Sequence, residues 1–155
     1  MKQSACFIGH RTIDDTPELR TRVRHVLETL VENGTIYFIF GDHSAFDRLC
    51  YELVTELKEK VPAIRRIHFR ADYEEVDDYT KNLLLRGYEE SRCPPGVESA
   101  GRARHVARNQ AMIRESDVCV FYFDETYCPD SRKSGTAAAF AYATRLNKPI
   151  INLYS

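Results

Sequence analysis

The chain has 155 residues, 43% of them hydrophobic and 29% charged, with a net charge of -1. This is the ordinary balance of a soluble globular protein of one domain, residues 1–155, and it excludes a disordered chain. With a sequence pI near 6.5, no global field draws the chain to nucleic acid or membranes, so an anion site must be built locally.

The first apolar run is Ala5 to Ile8, followed by Gly9, and it reads as a strand. Leu19, Val23, Val26, Leu27, Leu30 and Val31 then recur at helical spacing until Asn33-Gly34 supplies a stop. Ile36 to Phe40 is a second strand, and Phe46, Leu49, Cys50, Leu53, Val54 and Leu57 mark a second helix ending before Pro62. Ile64 to Phe69 is a third strand, with a less regular helix from about Tyr73 to Tyr88. After the loop Pro94-Pro95-Gly96, a fourth helix is predicted from about Ser99 to Glu115. Val118 to Phe123 is a strand, Thr136 to Leu146 an alanine-rich helix, and Pro149 to Tyr154 the last strand.

Continuous apolar runs suit strands covered on both faces, and strands alternating with helices predict parallel pairing through right-handed crossovers. The expected fold is α/β: a Rossmann-like, three-layer αβα sandwich with a five-stranded, mainly parallel sheet. The cysteines Cys6, Cys50, Cys93, Cys119 and Cys128 are odd in number and contain no C-x-x-C, as in a reduced cytosolic chain that uses cysteine as a small hydrophobe. Lys2 leads at once into the first strand, without a signal peptide, and no apolar run approaches membrane-spanning length. The expected location is therefore cytoplasmic, with no membrane partner.

In open α/β sheets ligands bind beyond the carboxyl ends of the strands. Gly9, His10 and Arg11 follow the first strand; Gly41, Asp42, His43, Ser44, Ala45, Phe46 and Asp47 follow the second. Arg70 to Tyr73 follow the third, and the loop Asp124 to Ser134, leading into Gly135 and Thr136, follows the fourth. Gly9 permits a tight turn and close ligand approach. Arg11 offers a planar fork for phosphate or carboxylate. Ser134-Gly135-Thr136 opens a helix, where free N–H groups and the helix dipole favour an anion. Asp47, in the first turn of a helix, accepts either from a ribose hydroxyl or from backbone amides. Taken singly, Ser134 or Thr136 reads as a helix cap, His10 as a structural histidine, and Arg102 and Arg104 as a solvated face. Their coincidence on one edge points to a binding site.

Three segments together resemble the SLOG superfamily (the fold of DNA-processing protein A and the LONELY GUY proteins), specifically its YpsA-like branch. They are Cys6-Phe7-Ile8-Gly9-His10-Arg11; Arg108-Asn109-Gln110-Ala111-Met112-Ile113 with Ser116-Asp117; and Ser134-Gly135-Thr136 leading to Asn147-Lys148-Pro149-Ile150. The loop from Gly41 to Phe46-Asp47 resembles a fourth. The resemblance implies a pocket for a nucleotide or nucleotide-derived ligand, with Gly9 and Arg11 on its floor and Asp47 at the sugar. It brings Arg108 and Asn109 in from the fourth helix and gives the phosphate to Ser134, Gly135 and Thr136. It also makes a homo-oligomer compatible with the chain. No other cofactor is assigned.

Relatives that cleave N-glycosidic bonds place a glutamate three residues past that threonine, where this chain has Ala139. Alanine can neither attack nor stabilise an anomeric carbon. The leading expectation is therefore binding or sensing without glycosidase chemistry. One alternative is an N-glycosidase or phosphoribohydrolase-like nucleotide-processing enzyme using another carboxylate, Asp47, Asp124 or Glu125. Another is single-stranded nucleic-acid binding, suggested by Arg102, Arg104 and Arg108 but opposed by the near-neutral charge. Asp42-His43 with Asp47 is a conceivable cation group, and Glu74, Glu75, Asp77 and Asp78 read as an acidic helix face; no metal is assigned. Arg132 or Lys133 is expected to reach the phosphate as its loop closes.

Overall fold

Continuous apolar runs become the central strands here because both of their faces are covered. The computed structural model describes residues 3–41, 44–71, 87–97, 99–126 and 135–154. Six strands form one sheet: β1 (Gln3–Gly9), β2 (Thr35–Phe40), β3 (Arg65–Phe69), β4 (Glu90–Arg92), β5 (Val118–Tyr122) and β6 (Ile150–Asn152). Their order is β4-β3-β2-β1-β5-β6, and every pairing is parallel. Four α-helices lie among the described residues: α1 (Pro17–Glu32), α2 (Ala45–Lys60), α3 (Arg104–Glu115) and α4 (Gly135–Arg145).

Side chains of successive strand residues point to opposite faces, and the core divides accordingly. Ala5, Phe7, Phe38, Phe40 and Val120 pack with Leu19, Val23 and Leu27 of α1 and with Phe46, Leu49 and Leu53 of α2. Their neighbours Cys6, Ile8, Ile39, Cys119 and Phe121 pack on the other face, with Met112 and Ile113 of α3 and Ala139 and Ala143 of α4. Each large side chain removed from water in this way contributes roughly 1.5–3 kcal/mol before entropy is charged against it. The result is the expected αβα sandwich, Rossmann-like. The chain winds outward from β1 through β4, then returns to β5 on the other side of β1, which makes the β1–β5 crevice the topological switch point.

Helix ends follow their local chemistry. Thr16 caps α1, its hydroxyl accepting from the Leu19 amide at 3.1 Å, and Pro17 occupies the first turn. Gly34 turns the chain into β2 at φ +100, a value that favours glycine. Asn147 takes φ 56 just beyond α4, a left-handed position that asparagine tolerates.

The sheet has one strand more than the five expected. The added strand is β4, Glu-Ser-Arg, too short and polar to register as an apolar run. It is an edge strand held by Glu89, whose carboxylate accepts from the Arg66 amide at 2.8 Å and pairs with the Arg66 guanidinium at 2.8 Å. The Arg92 guanidinium lies 4.5 Å from the Phe69 ring centroid. The expected fourth helix also starts later: Gly101 takes φ +60, a 3-10 turn spans Gly101–Ala103, and α-helix begins only at Arg104. The last strand is shorter than Pro149 to Tyr154. Residues 72–86, most of the expected third helix, lie outside the described residues; Gly87 and Tyr88 are turn and coil.

Two of the motifs behind the resemblance lie at the amino edge of the sheet and serve the fold. The Asp117 carboxylate accepts from the Ser4 amide at 2.9 Å, and the Asp117 amide donates to the Ser4 carbonyl at 2.8 Å. The Ser116 hydroxyl donates to the Met112 carbonyl at 2.7 Å. Lys148 Nζ donates to the carbonyls of Ser116 (2.8 Å) and Arg114 (3.3 Å), placing a cation on the carboxyl terminus of α3. Among the described residues, no helix is long and apolar enough to cross a membrane.

Candidate functional site

At the carboxyl edge the switch point is bridged by one imidazole. The His10 amide continues the ladder to the Tyr122 carbonyl at 3.3 Å, and the Asp124 amide donates to His10 Nε2 at 2.9 Å. Nε2 is thereby an acceptor, which fixes the neutral tautomer with its proton on Nδ1. The residue is 4% exposed, and burial pushes its pKa below the ordinary 6.5, against the opposing pull of Asp124. His10 thus ties the exits of β1 and β5 together.

Asp124 is committed locally. Its Oδ1 accepts from the Thr126 amide (2.8 Å) and hydroxyl (2.6 Å). The Thr126 hydroxyl is the main cause holding this carboxyl below its usual range, helped by the Tyr154 hydroxyl, whose own pKa is raised by Asp124. Asn152 closes the same corner, accepting from the Phe123 amide and donating to its carbonyl, both at 3.0 Å. Nothing in the sequence singled out Asn152, because an asparagine at a strand end signals a turn as readily as a clamp.

The two strand-exit glycines are seats for side chains. A Cβ at Gly9 would stand 2.6 Å from Cβ and Cγ of Phe46. The freedom expected to serve ligand approach is therefore taken up by Phe46, which is fully buried and packs against Tyr122 with ring centroids 5.7 Å apart. A Cβ at Gly41 would stand 2.8 Å from Met112 Sδ and 3.1 Å from Arg108 Nε. Arg108 is 3% exposed and shares the Asn109 side-chain oxygen through Nε (3.2 Å) and Nη2 (3.1 Å). Gly41 and α3 thus bring Arg108 and Asn109 to the exit of β2, where His68 Nε2 also meets the Gly41 carbonyl at 3.0 Å.

The first turn of α2 lies beside them. Its cap is Ser44, whose hydroxyl accepts from the Asp47 amide at 3.1 Å. The Ala45 amide donates to the Arg11 carbonyl at 3.0 Å, so β1 and α2 are joined through backbone while the Arg11 side chain is exposed. Asp47 is therefore the acidic residue of the first turn rather than its cap. It is 4% exposed, and its charge reinforces burial in raising the pKa values of Cys50 and Tyr88. Tyr88 stacks on His68 with centroids 4.9 Å apart.

Across the switch point, Gly135 is exposed and Thr136 buried at the start of α4. A Cβ at Gly135 would touch nothing within 4 Å, so sterics do not require glycine there. Ala139 lies one turn on, buried in the apolar cluster with Phe121 and Met112. Ser134, Arg132, Lys133, Asp42, His43 and the acidic group Glu74 to Asp78 lie outside the described residues. Among the described residues, no three acidic, histidine or cysteine side chains come together as metal ligands. A groove of about 220 Å³ between α1 and α2, lined by Arg24, Leu27, Leu53 and Leu57 among others, lies away from this edge.

No protein-family model matches the chain, and no curated protein matches it. Solved structures do. DNA processing protein A from Helicobacter pylori, described as binding single-stranded DNA, aligns with a TM-score of 0.58 at 19% identity, over 96% of this chain and 63% of that one. The molybdenum cofactor carrier protein from Chlamydomonas reinhardtii aligns with a TM-score of 0.56 at 16% identity, over 96% of this chain and 74% of that one. The chain thus spans less than two thirds of the length of the DNA processing protein. At these identities the likeness is one of fold alone, a Rossmann-like αβα arrangement.

Proposed function

We propose that the chain is a binding or sensing module for a nucleotide or nucleotide-derived ligand, held at the carboxyl edge of the sheet and not cleaved at its N-glycosidic bond. The observation that carries this reading is the distribution of buried polar side chains. His10, Ser44, Asp47, Arg108 and Thr136 are all buried at the carboxyl edge. Burying polar groups is costly unless they are bonded, and functional sites are where such cost is retained. In this reading Asp47 meets sugar hydroxyls, Arg108 and Asn109 reach the ligand from α3, and the amides of Gly135 and Thr136 hold phosphate with Ser134. Gly9, Gly41 and Phe46 shape the floor, His10 with Asp124 sets the width of the crevice, and Arg11 stands at its mouth. This assignment follows the motifs that resemble the YpsA-like branch of the SLOG superfamily.

Ala139 supports the absence of glycosidase chemistry. Its buried place in an apolar cluster disfavours a carboxylate there, and Asp124 bonds to Thr126 and Tyr154. Asp47 is the remaining buried carboxylate for an enzyme reading. A single-stranded nucleic acid is the second reading, favoured by the exposed stretch Gly101 to Val106 with Arg102, Arg104 and His105 and by what the DNA processing protein binds.

The test is thermal stability against mono-, di- and cyclic nucleotides, NAD, ADP-ribose and oligonucleotides, with product analysis of every hit. A ligand at one hundred times its Kd adds about 2.7 kcal/mol. A shift lost in Thr136→Ala, with the ligand recovered unchanged, is expected. A shift only with oligonucleotides, steeply dependent on salt, favours the second reading.

A further inference from the structure

Beyond the turn that opens α4, the ends of β3 and β4 hold three polar side-chain atoms without a hydrogen-bond partner: Arg70 Nε, Ser91 Oγ and Arg92 Nε, the last 3.5 Å from a Glu90 carboxylate oxygen. Arg70 Nε and Ser91 Oγ are both shielded from solvent and unbonded. Ser91 pairs in register with His68, and the Arg70 amide continues the ladder to the Arg92 carbonyl at 2.8 Å. Alternation therefore puts His68, Arg70 and Ser91 on one face of the sheet. It is the face of α2, since His68 stacks on Tyr88, which packs against Tyr51 of α2 with centroids 5.1 Å apart.

Among the described residues, the carboxylates on these strands are taken by other cations. Glu89 is held by Arg66 at 2.8 Å and Lys58 at 3.7 Å, and Glu90 by Arg92 at 3.5 Å. Arg70 forms no ion pair among the described residues. Proteins leave few buried donors unbonded, and a guanidinium fork with a hydroxyl on the same face of the sheet is matched to the oxygens of a phosphate.

We infer that Arg70 and Ser91 form an oxyanion-binding position for phosphate at the carboxyl ends of β3 and β4, separate from the α4 turn. The occupant is a phosphate group, free or carried by a nucleotide. This inference uses neither Thr136 nor Arg108 and does not depend on the reading above.

The experiment follows the arginine Nε–H resonances of the ¹⁵N-labelled full chain, with Arg70 assigned by its loss in Arg70→Gln and, independently, in Arg70→Leu. Inorganic phosphate, AMP and adenosine are titrated at constant ionic strength. The Arg70 resonance is expected to move saturably with phosphate. Ser91→Ala is expected to weaken that binding roughly tenfold, the scale of one lost charge-assisted hydrogen bond, while Thr136→Ala leaves it unchanged. AMP moving Arg70 where adenosine does not makes a nucleotide phosphate the occupant; phosphate alone moving it makes the free ion the occupant. An Arg70 resonance that stays still or drifts without saturation, as exposed Arg102 should, overturns the inference, as does Ser91→Ala binding phosphate normally. Nucleotide binding that depends on Thr136 but leaves Arg70 unmoved would overturn this position while sparing the proposed function.

Discussion

At the amino edge of the sheet, Ser4, Ser116, Asp117 and Lys148 bond to one another's backbone and to the end of α3. At the carboxyl edge, Asp47, Arg108 and Thr136 are buried on three different helices and brought to the exits of β1, β2 and β5. The first edge completes its polar groups locally and reads as architecture. The second gathers charge from distant parts of the chain, at a cost that packing alone does not explain. Sequence motifs of similar weight therefore do different work: S-D and N-K-P fasten the fold, while R-N and G-T lie at the carboxyl edge, where the proposed ligand would enter.

The largest expected effect breaks the carboxyl edge from within. Ala139→Glu would place an unpaired carboxylate in the cluster with Phe121 and Met112, and a loss of about 3–5 kcal/mol is expected in urea unfolding. Hydrolysis of a nucleotide by the unaltered chain, with Ala139 in place, would contradict the reading. Next is Gly9→Ala, which forces Phe46 aside and should cost about 1–3 kcal/mol, with any ligand affinity falling alongside.

Lys148→Met probes the other edge. Losing Nζ from the carbonyls of Ser116 and Arg114 should cost about 1–2 kcal/mol and leave ligand affinity at the carboxyl edge intact. Reduced affinity at unchanged fold would blur the distinction between the edges.

His10 gives the carboxyl edge a pH signature. Its folded pKa lies below the unfolded value near 6.5, so the unfolded chain binds the proton more readily. The stability that neutral His10 contributes is fully present above about pH 6.5 and is lost as pH falls through the folded pKa. The unfolding midpoint should therefore fall on acidification below about pH 6.5, and His10→Gln should flatten that slope. The smallest effect is expected at Thr35, whose hydroxyl is buried and unbonded at the start of β2. Thr35→Val should be neutral or stabilise by up to about 1 kcal/mol.

The sandwich was legible because the strands are continuous apolar runs and α1 and α2 repeat at helical spacing. β4 was not, because an edge strand of Glu, Ser and Arg is defined by its partner Arg66 and not by its own hydrophobicity. The carboxyl edge was legible by position: reading the residues after each strand located Gly9, His10, Gly41, Asp47 and Thr136 there, since topology fixes where those residues stand. The uses of Gly9 and Gly41 were hidden: the side chains seated on them, Phe46 and Arg108, come from elsewhere in the chain. Arg70 was visible as a post-strand residue, but only its neighbours reveal that its Nε has no acceptor.

The most direct measurement is a backbone amide chemical-shift map of the labelled chain with the strongest nucleotide found in the stability screen. Saturable shifts are expected at His10, Arg11, Gly41, Asp47, Asn109, Gly135 and Thr136, with Ser4, Asp117 and Lys148 still. Shifts confined to those amino-edge residues, or to the α1–α2 groove at Leu27 and Leu57, would contradict the assignment of binding to the carboxyl edge.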